Sequence, residues 1–94
     1  MRERDVEKHL KTNIEKRNGW CVKFESPGLS GVPDRICMLP GGRLYFVEVK
    51  RPGQKLRKLQ EKRKKQFENL GQHVYAVSSK EEVDEFMRRV IDDE

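Results

Sequence analysis

Gly31-Val32-Pro33-Asp34-Arg35-Ile36-Cys37-Met38-Leu39-Pro40-Gly41-Gly42-Arg43-Leu44-Tyr45-Phe46-Val47-Glu48-Val49-Lys50 is the stretch on which the fold turns. Two apolar runs flank a Pro-Gly-Gly break, which is the signature of a β-hairpin. Loop length then decides which side chains meet. A two-residue Gly41-Gly42 loop sets Asp34 opposite Val49. A three-residue loop, Pro40 to Gly42, pairs Leu39 with Arg43 and brings Asp34 opposite Glu48, Ile36 opposite Phe46 and Met38 opposite Leu44. The second register makes one continuous apolar face ending in two carboxylates, and it uses glycine where such loops need a left-handed residue, so it is the expected one. Pro33 lacks an amide donor and holds Val32 extended, which sets the approach of Asp34 to the strand.

Leu44-Tyr45-Phe46-Val47 shows too little polar alternation for a half-exposed strand and reads as a central strand buried on both faces. Charges at its end then need a reason. Glu48 and Lys50 lie on the same side, separated by roughly 6.6 Å of rise, two steps of about 3.3 Å. An acid and a base held that close can divide labour, one binding a metal and the other addressing a phosphate or a water.

Working outward, Arg4 to Arg17 reads as a helix with Val6, Leu10 and Ile14 as its apolar stripe and Asn18-Gly19 as its stop. Glu7 lies about 20° from Ile14 and about 60° from Leu10 around the helix, so it borders the buried stripe. A carboxylate there needs an ion pair or a metal, and Glu3 points inward one turn earlier. Trp20-Cys21-Val22-Lys23-Phe24 is a first strand, and Glu25 to Gly31 a glycine-rich loop leading to Asp34. After the break at Arg51-Pro52-Gly53, Lys55 to Leu70 reads as a second helix with Leu56, Leu59, Phe67 and Leu70 on one side; Gln60 and Arg63 fall within that stripe. Gln60, one turn from the helix start and aimed at the sheet, is placed to steer a water, a phosphate or Lys50, or to sit as a hydrogen-bonded core amide.

Val74-Tyr75-Ala76-Val77 is a fourth strand, reached by a helical crossover and therefore expected parallel to the third. Ser79-Lys80-Glu81-Glu82 has capping-box spacing, and Val83, Phe86, Met87, Val90 and Ile91 form the buried side of a last helix. The order is αβββαβα: an α/β fold with a small mixed four-stranded sheet flanked by helices, expected as a single domain over residues 1–94.

The chain has 94 residues, 34% of them hydrophobic and 39% charged, with a formal net charge of +5. Such a thin core would gain from a partner subunit. Charge is unevenly spread: Lys50, Arg51, Lys55, Arg57, Lys58, Lys62, Arg63, Lys64 and Lys65 crowd the stretch after the Glu48 strand, while acids dominate the C-terminal segment. A basic face beside a carboxylate cluster suits a polyanion held while a metal works on it; a solvated helix face is the alternative. Cys21, Cys37, His9 and His73 match no zinc-finger spacing, and the thiols are expected reduced, packing as small apolar residues in a cytoplasmic protein. No membrane association and no organic cofactor are expected.

An acid on the first helix, Pro33-Asp34 at a strand start, Glu48-x-Lys50 ending the next strand and Gln60 on the following helix resemble the PD-(D/E)XK nucleases, with their restriction-endonuclease-like core. More narrowly, Gly31-Val32-Pro33-Asp34, Phe46-Val47-Glu48-Val49-Lys50 and the run from Pro52-Gly53 to Leu59-Gln60 resemble the virus-type replication-repair nuclease (VRR-NUC) family over nearly the whole chain. The resemblance implies a Mg²⁺-dependent phosphodiesterase, with Mn²⁺ able to substitute. It makes Glu7, Asp34 and Glu48 metal ligands, joined by the backbone carbonyl of Val49; Lys50 becomes the catalytic lysine and Gln60 its support, with Glu3 the alternative to Glu7. Lys23, Ser26, Arg35, Arg51, Lys55, Arg57 and Lys58 are the expected DNA contacts. Stand-alone members resemble small dimeric resolvases, so the expected function is cleavage of four-way DNA junctions by a homodimer. The alternatives are a flap, splayed-arm or nonspecific duplex endonuclease, and a non-catalytic basic DNA-binding module.

Overall fold

Residues 1–93 are described by a computed structural model. Helix α1 (Glu3–Glu15) precedes strands β1 (Trp20–Lys23), β2 (Arg35–Leu39) and β3 (Arg43–Val49). Helix α2 (Lys58–Asn69), strand β4 (Val74–Val77) and helix α3 (Lys80–Phe86) follow, and α3 runs into a π-helical turn over Met87–Ile91. The sheet order is β1-β2-β3-β4, antiparallel across the first two pairs and parallel across the last. The α/β class, the mixed four-stranded sheet and the parallel β3–β4 crossover agree with the sequence reading.

The hairpin takes the three-residue loop. Leu39 pairs with Arg43, Met38 with Leu44 and Ile36 with Phe46. Gly41 and Gly42 both have positive φ, 87° and 76°, a conformation that costs glycine little and a side chain much more. Because the pleat alternates with period two, that register puts Trp20, Met38 and Leu44 in one cross-strand row and Val22, Ile36 and Phe46 in the next. The row beyond holds Phe24, whose amide donates to the Asp34 carbonyl at 2.9 Å, followed by Asp34 and Glu48.

The opposite face carries the core. Cys21, Cys37, Leu39, Tyr45, Val47, Val49 and Val77 pack there under Val6, Leu10 and Ile14 of α1 and Val83, Phe86, Met87 and Ile91 at the C-terminal end. Fully burying each such aliphatic side chain contributes about 1.5–3 kcal/mol. The last helix starts where expected: Ser79 Oγ accepts from the Glu82 amide at 3.0 Å. The reciprocal Glu82 carboxylate reaches the amide and hydroxyl of Ser78, one residue further back than a capping box requires.

Two expectations are corrected. Strand β3 is not buried on both faces: Tyr45, Val47 and Val49 are buried, Leu44 is exposed and Phe46 half-buried. The reason is α2, which begins at Lys58 instead of Lys55 and, among the described residues, buries none of its own side chains. Leu59 and Leu70 are exposed, and Leu56 and Phe67 half-buried, so the expected stripe gives only partial cover. Phe67 meets Phe46 edge-on at 5.0 Å between ring centroids, and Phe24 flanks Phe46 at 5.6 Å. Trp20, Val22 and Leu44 remain exposed on that face.

Candidate active site

Glu48 and Lys50 end β3 on the thinly covered face, as the pleat requires, and both are buried, at 6% and 7% exposure. Lys50 Nζ lies 3.8 Å from Glu48 Oε2, beyond direct hydrogen-bond length but close enough for strong attraction in a partly desolvated site. The Lys50 amide donates to Val77 of β4 at 2.8 Å, so the strand end is anchored. Asp34 reaches the same place from the hairpin's other arm. Its Oδ1 accepts from the Val49 amide at 3.2 Å.

Gln60 is held at both ends of its amide. Oε1 accepts from the Arg57 amide at 2.9 Å, capping α2, while Nε2 donates to Glu48 Oε2 at 3.2 Å. Helix start and carboxylate orientation are therefore set by one side chain. A polar cavity of ≈ 400 Å³ opens over this group, lined by Glu3, Glu48, Val49, Lys50, Arg51, Gln54, Arg57 and Gln60.

Electrostatics marks the pair of acids. Burial, reinforced by the Asp34 charge and opposed by Lys50, pushes Glu48 up to about 7. Burial likewise raises Asp34, against the hydrogen bond from Val49. Glu48 Oε1 is buried and, among the described residues, has no hydrogen-bond partner. Such an oxygen carries a desolvation cost that a proton or a cation would relieve.

The carboxylates expected to converge do so only in part. Asp34 and Glu48 come together, whereas Glu7 forms an ion pair with Arg35 on the α1 side of the sheet. Glu3, one turn earlier, lines the cavity instead. Among the described residues no three His, Cys, Asp or Glu side chains form a group able to hold a metal ion. The two that converge still fit a hard divalent cation, since Mg²⁺ keeps several waters and commonly takes one or two protein carboxylates. The unpartnered Glu48 oxygen is what such an ion would satisfy.

The expected DNA contacts divide similarly. Lys23, Arg51, Lys55, Arg57 and Lys58 are exposed and Ser26 is half-buried. Arg35 is buried, at 7% exposure, with its guanidinium paired to Glu7, so it offers little surface to a phosphate. Gln54 was not anticipated. It belongs to a short turn, its amide donating to the Arg51 carbonyl at 3.1 Å, and an isolated glutamine in a loop carries no periodic signal. Cys21 and Cys37 face each other with Sγ atoms 3.9 Å apart; their hydrogen bond lowers the Cys21 thiol and, with burial, pushes the Cys37 thiol up, and both pack as small core residues.

A mixed sheet that carries Asp34, Glu48 and Lys50 to one end, with the Gln60 side-chain amide on the glutamate, is consistent with the core of the PD-(D/E)XK nucleases. Comparison with known proteins narrows this. No family model matches the chain. Over 81 residues, 86% of this chain and 87% of the relative, the sequence is 41% identical to "Putative nuclease p44" of Acyrthosiphon pisum secondary endosymbiont phage 1. A solved structure described as "VRR_NUC domain" superposes with a TM-score of 0.89 at 32% identity, covering 94% of this chain and 96% of that one. The chain belongs to the VRR_NUC family of nucleases. No helix among the described residues is long and apolar enough to cross a membrane.

Proposed function

We propose that this nuclease is a Mg²⁺-dependent, structure-specific DNA endonuclease that acts as a homodimer on four-way junctions. The observation that carries the reading is the buried, unpartnered Glu48 Oε1 beside Asp34, with Lys50 3.8 Å from the same carboxylate. Asp34, Glu48 and the Val49 carbonyl would hold the ion, with Glu3 the first-helix carboxylate the cavity favours over the paired Glu7. When bound, the cation supplies Lewis-acid chemistry at the scissile phosphate and eases ionisation of a water nucleophile; Mn²⁺ would serve as well.

The chain's own groups do the rest. Lys50 orients the water and stabilises the negative charge that grows on the phosphate oxygens. Gln60 holds Glu48 in one rotamer, so its free oxygen keeps its direction. The exposed Arg51, Lys55, Arg57 and Lys58 border the cavity and the start of α2, where they would hold the DNA backbone. Lys23 at the end of β1 and Ser26 in the loop after it are offered as further backbone contacts.

One observation favours a second copy, and a second copy in turn suits a branched substrate. The row of exposed Trp20 and Leu44 with half-buried Met38 between them is apolar surface that another chain would cover. A twofold dimer would also present two sites to a nearly symmetric junction. Contacts to the backbone position a substrate without reading sequence, which favours recognition by shape.

The test is a panel of labelled four-way junctions, flaps, splayed arms and linear duplexes, incubated with and without Mg²⁺ beside the Lys50→Ala protein. Junction cutting that requires both Mg²⁺ and Lys50 is the expected result. Equal cutting of linear duplex would refute the junction preference, and preferred cutting of flaps would move the substrate to that class.

A further inference from the structure

Helix α2 presents a physical problem, since it carries Gln60 yet buries none of its side chains. A surface helix that meets β3 through one edge-on aromatic contact, Phe67 on Phe46, has little packing to stop it shifting relative to that strand. Gln60 nevertheless sits within hydrogen-bond reach of Glu48. Something must fix the helix at its first turns.

The loop between β1 and β2 does this. Arg63 Nε donates to the Ser30 carbonyl at 2.6 Å, and another guanidinium nitrogen of Arg63 donates to Gln66 Oε1 at 2.9 Å. Next to Ser30, Gly31 takes φ +81° and lies so close to α2 that a Cβ there would meet Leu59 Cγ at 2.7 Å and Arg63 Cγ at 3.2 Å. The loop is braced in turn by the Leu29 amide donating to the Ser26 carbonyl at 3.2 Å. Leu59 and Arg63 thus flank Gln60 on the helix and both grip the segment that leads directly to Asp34.

We propose that Arg63 is a positioning residue for the active site. By pinning α2 to the Ser30–Gly31 segment it holds Gln60 on Glu48 and keeps the two arms of the site, Asp34 from the loop and Gln60 from the helix, in register. This rests on the proposed role of Gln60. It is distinct from phosphate binding, because the Arg63 donors Nε and one terminal nitrogen are already engaged by acceptors of the chain itself.

The experiment measures kcat, KM and DNA affinity in EDTA at two salt concentrations for wild type, Gln60→Ala, Arg63→Ala, Gly31→Ala and the Gln60/Arg63 double variant. The substrate is whichever DNA of the panel wild type cuts. Hydrogen exchange of α2 amides is followed alongside. Displacing a catalytic group by about 1 Å can cost on the order of 100-fold, so a partial shift predicts a kcat loss of about tenfold in Arg63→Ala, with affinity nearly unchanged. The double variant should be no slower than Gln60→Ala, and α2 exchange should quicken. Gly31→Ala pushes on Leu59 and Arg63 from the loop side and should reproduce this, which keeps the test open if Arg63→Ala folds poorly.

Independent, multiplying effects of Arg63→Ala and Gln60→Ala would overturn the proposal. So would a loss confined to affinity with a shallower salt dependence, the mark of a phosphate contact. Wild-type cutting by Gln60→Ala would instead overturn the role of Gln60 on which the proposal stands.

Discussion

The carboxylate of Asp34 accepts a hydrogen bond from the backbone amide of Val49 at 3.2 Å, so the residue that opens the hairpin is tied to the strand that closes it. Glu48 and Lys50 flank that amide. Any slip of β2 against β3 by one residue would move Asp34 to the other face and dissolve the site, which makes hairpin register a condition of activity.

Glu48→Gln and Lys50→Ala are expected to lower kcat by more than about 10³-fold while leaving DNA affinity within a few-fold of wild type. Both side chains are buried and supply little to the exposed basic surface. Gel cleavage and fluorescence anisotropy in EDTA check the two halves separately; either variant cutting at near wild-type rate would place the chemistry elsewhere.

Glu3 and Glu7 should separate by what they disturb. Glu3→Gln is expected to weaken divalent-ion affinity and cutting with little effect on stability, because Glu3 is exposed at the cavity. Glu7→Gln leaves the buried Arg35 without its counter-charge. Breaking a fully buried pair costs about 3–5 kcal/mol, and with the Glu7 side chain 31% exposed a loss of about 1–3 kcal/mol is expected in urea denaturation.

Stability without metal should fall as pH rises. Glu48 is raised from 4.5 to about 7, so between those values the folded chain binds a proton that the unfolded chain releases. The stabilising contribution is complete below 4.5 and is lost as pH passes through about 7; burial gives Asp34 a shift of the same sign. Unfolding free energies from urea titrations in EDTA should therefore decline from about pH 5 to pH 8, by an upper limit of about 3 kcal/mol, and Glu48→Gln should flatten the slope. Adding Mg²⁺ at the higher pH should restore stability in a concentration-dependent way, since only the folded chain would bind it.

Multi-angle light scattering at micromolar concentration is expected to give twice the chain mass. Trp20→Glu, placed in the exposed apolar row, should shift that value toward the monomer without unfolding the protein, because Trp20 is 70% exposed. A wild-type monomer would count against the dimeric reading.

The hairpin was legible because its physics is local. Pro40-Gly41-Gly42 admits the positive φ values a three-residue loop needs, and the two-residue pleat then dictates that Asp34, Glu48 and Lys50 share a face. The stripe of Val6, Leu10 and Ile14 was equally plain, since a helix that buries one side must repeat with its turn. Gln60 showed itself by its place one turn into α2.

Other features depend on what lies opposite a residue in space, and no periodicity records that. Glu7 bordered the buried stripe as expected, but whether it met a cation or a cavity was settled by Arg35 projecting from β2 toward α1. The apolar stripe of α2 promised burial that the helix does not achieve: Leu59 and Arg63 pack on the loop at Ser30–Gly31, while Phe67 meets Phe46 of the sheet. Pattern along the chain specified which faces exist and which residues occupy them; packing between elements distant in sequence specified which face met which, and so which carboxylate was left with an unsatisfied oxygen.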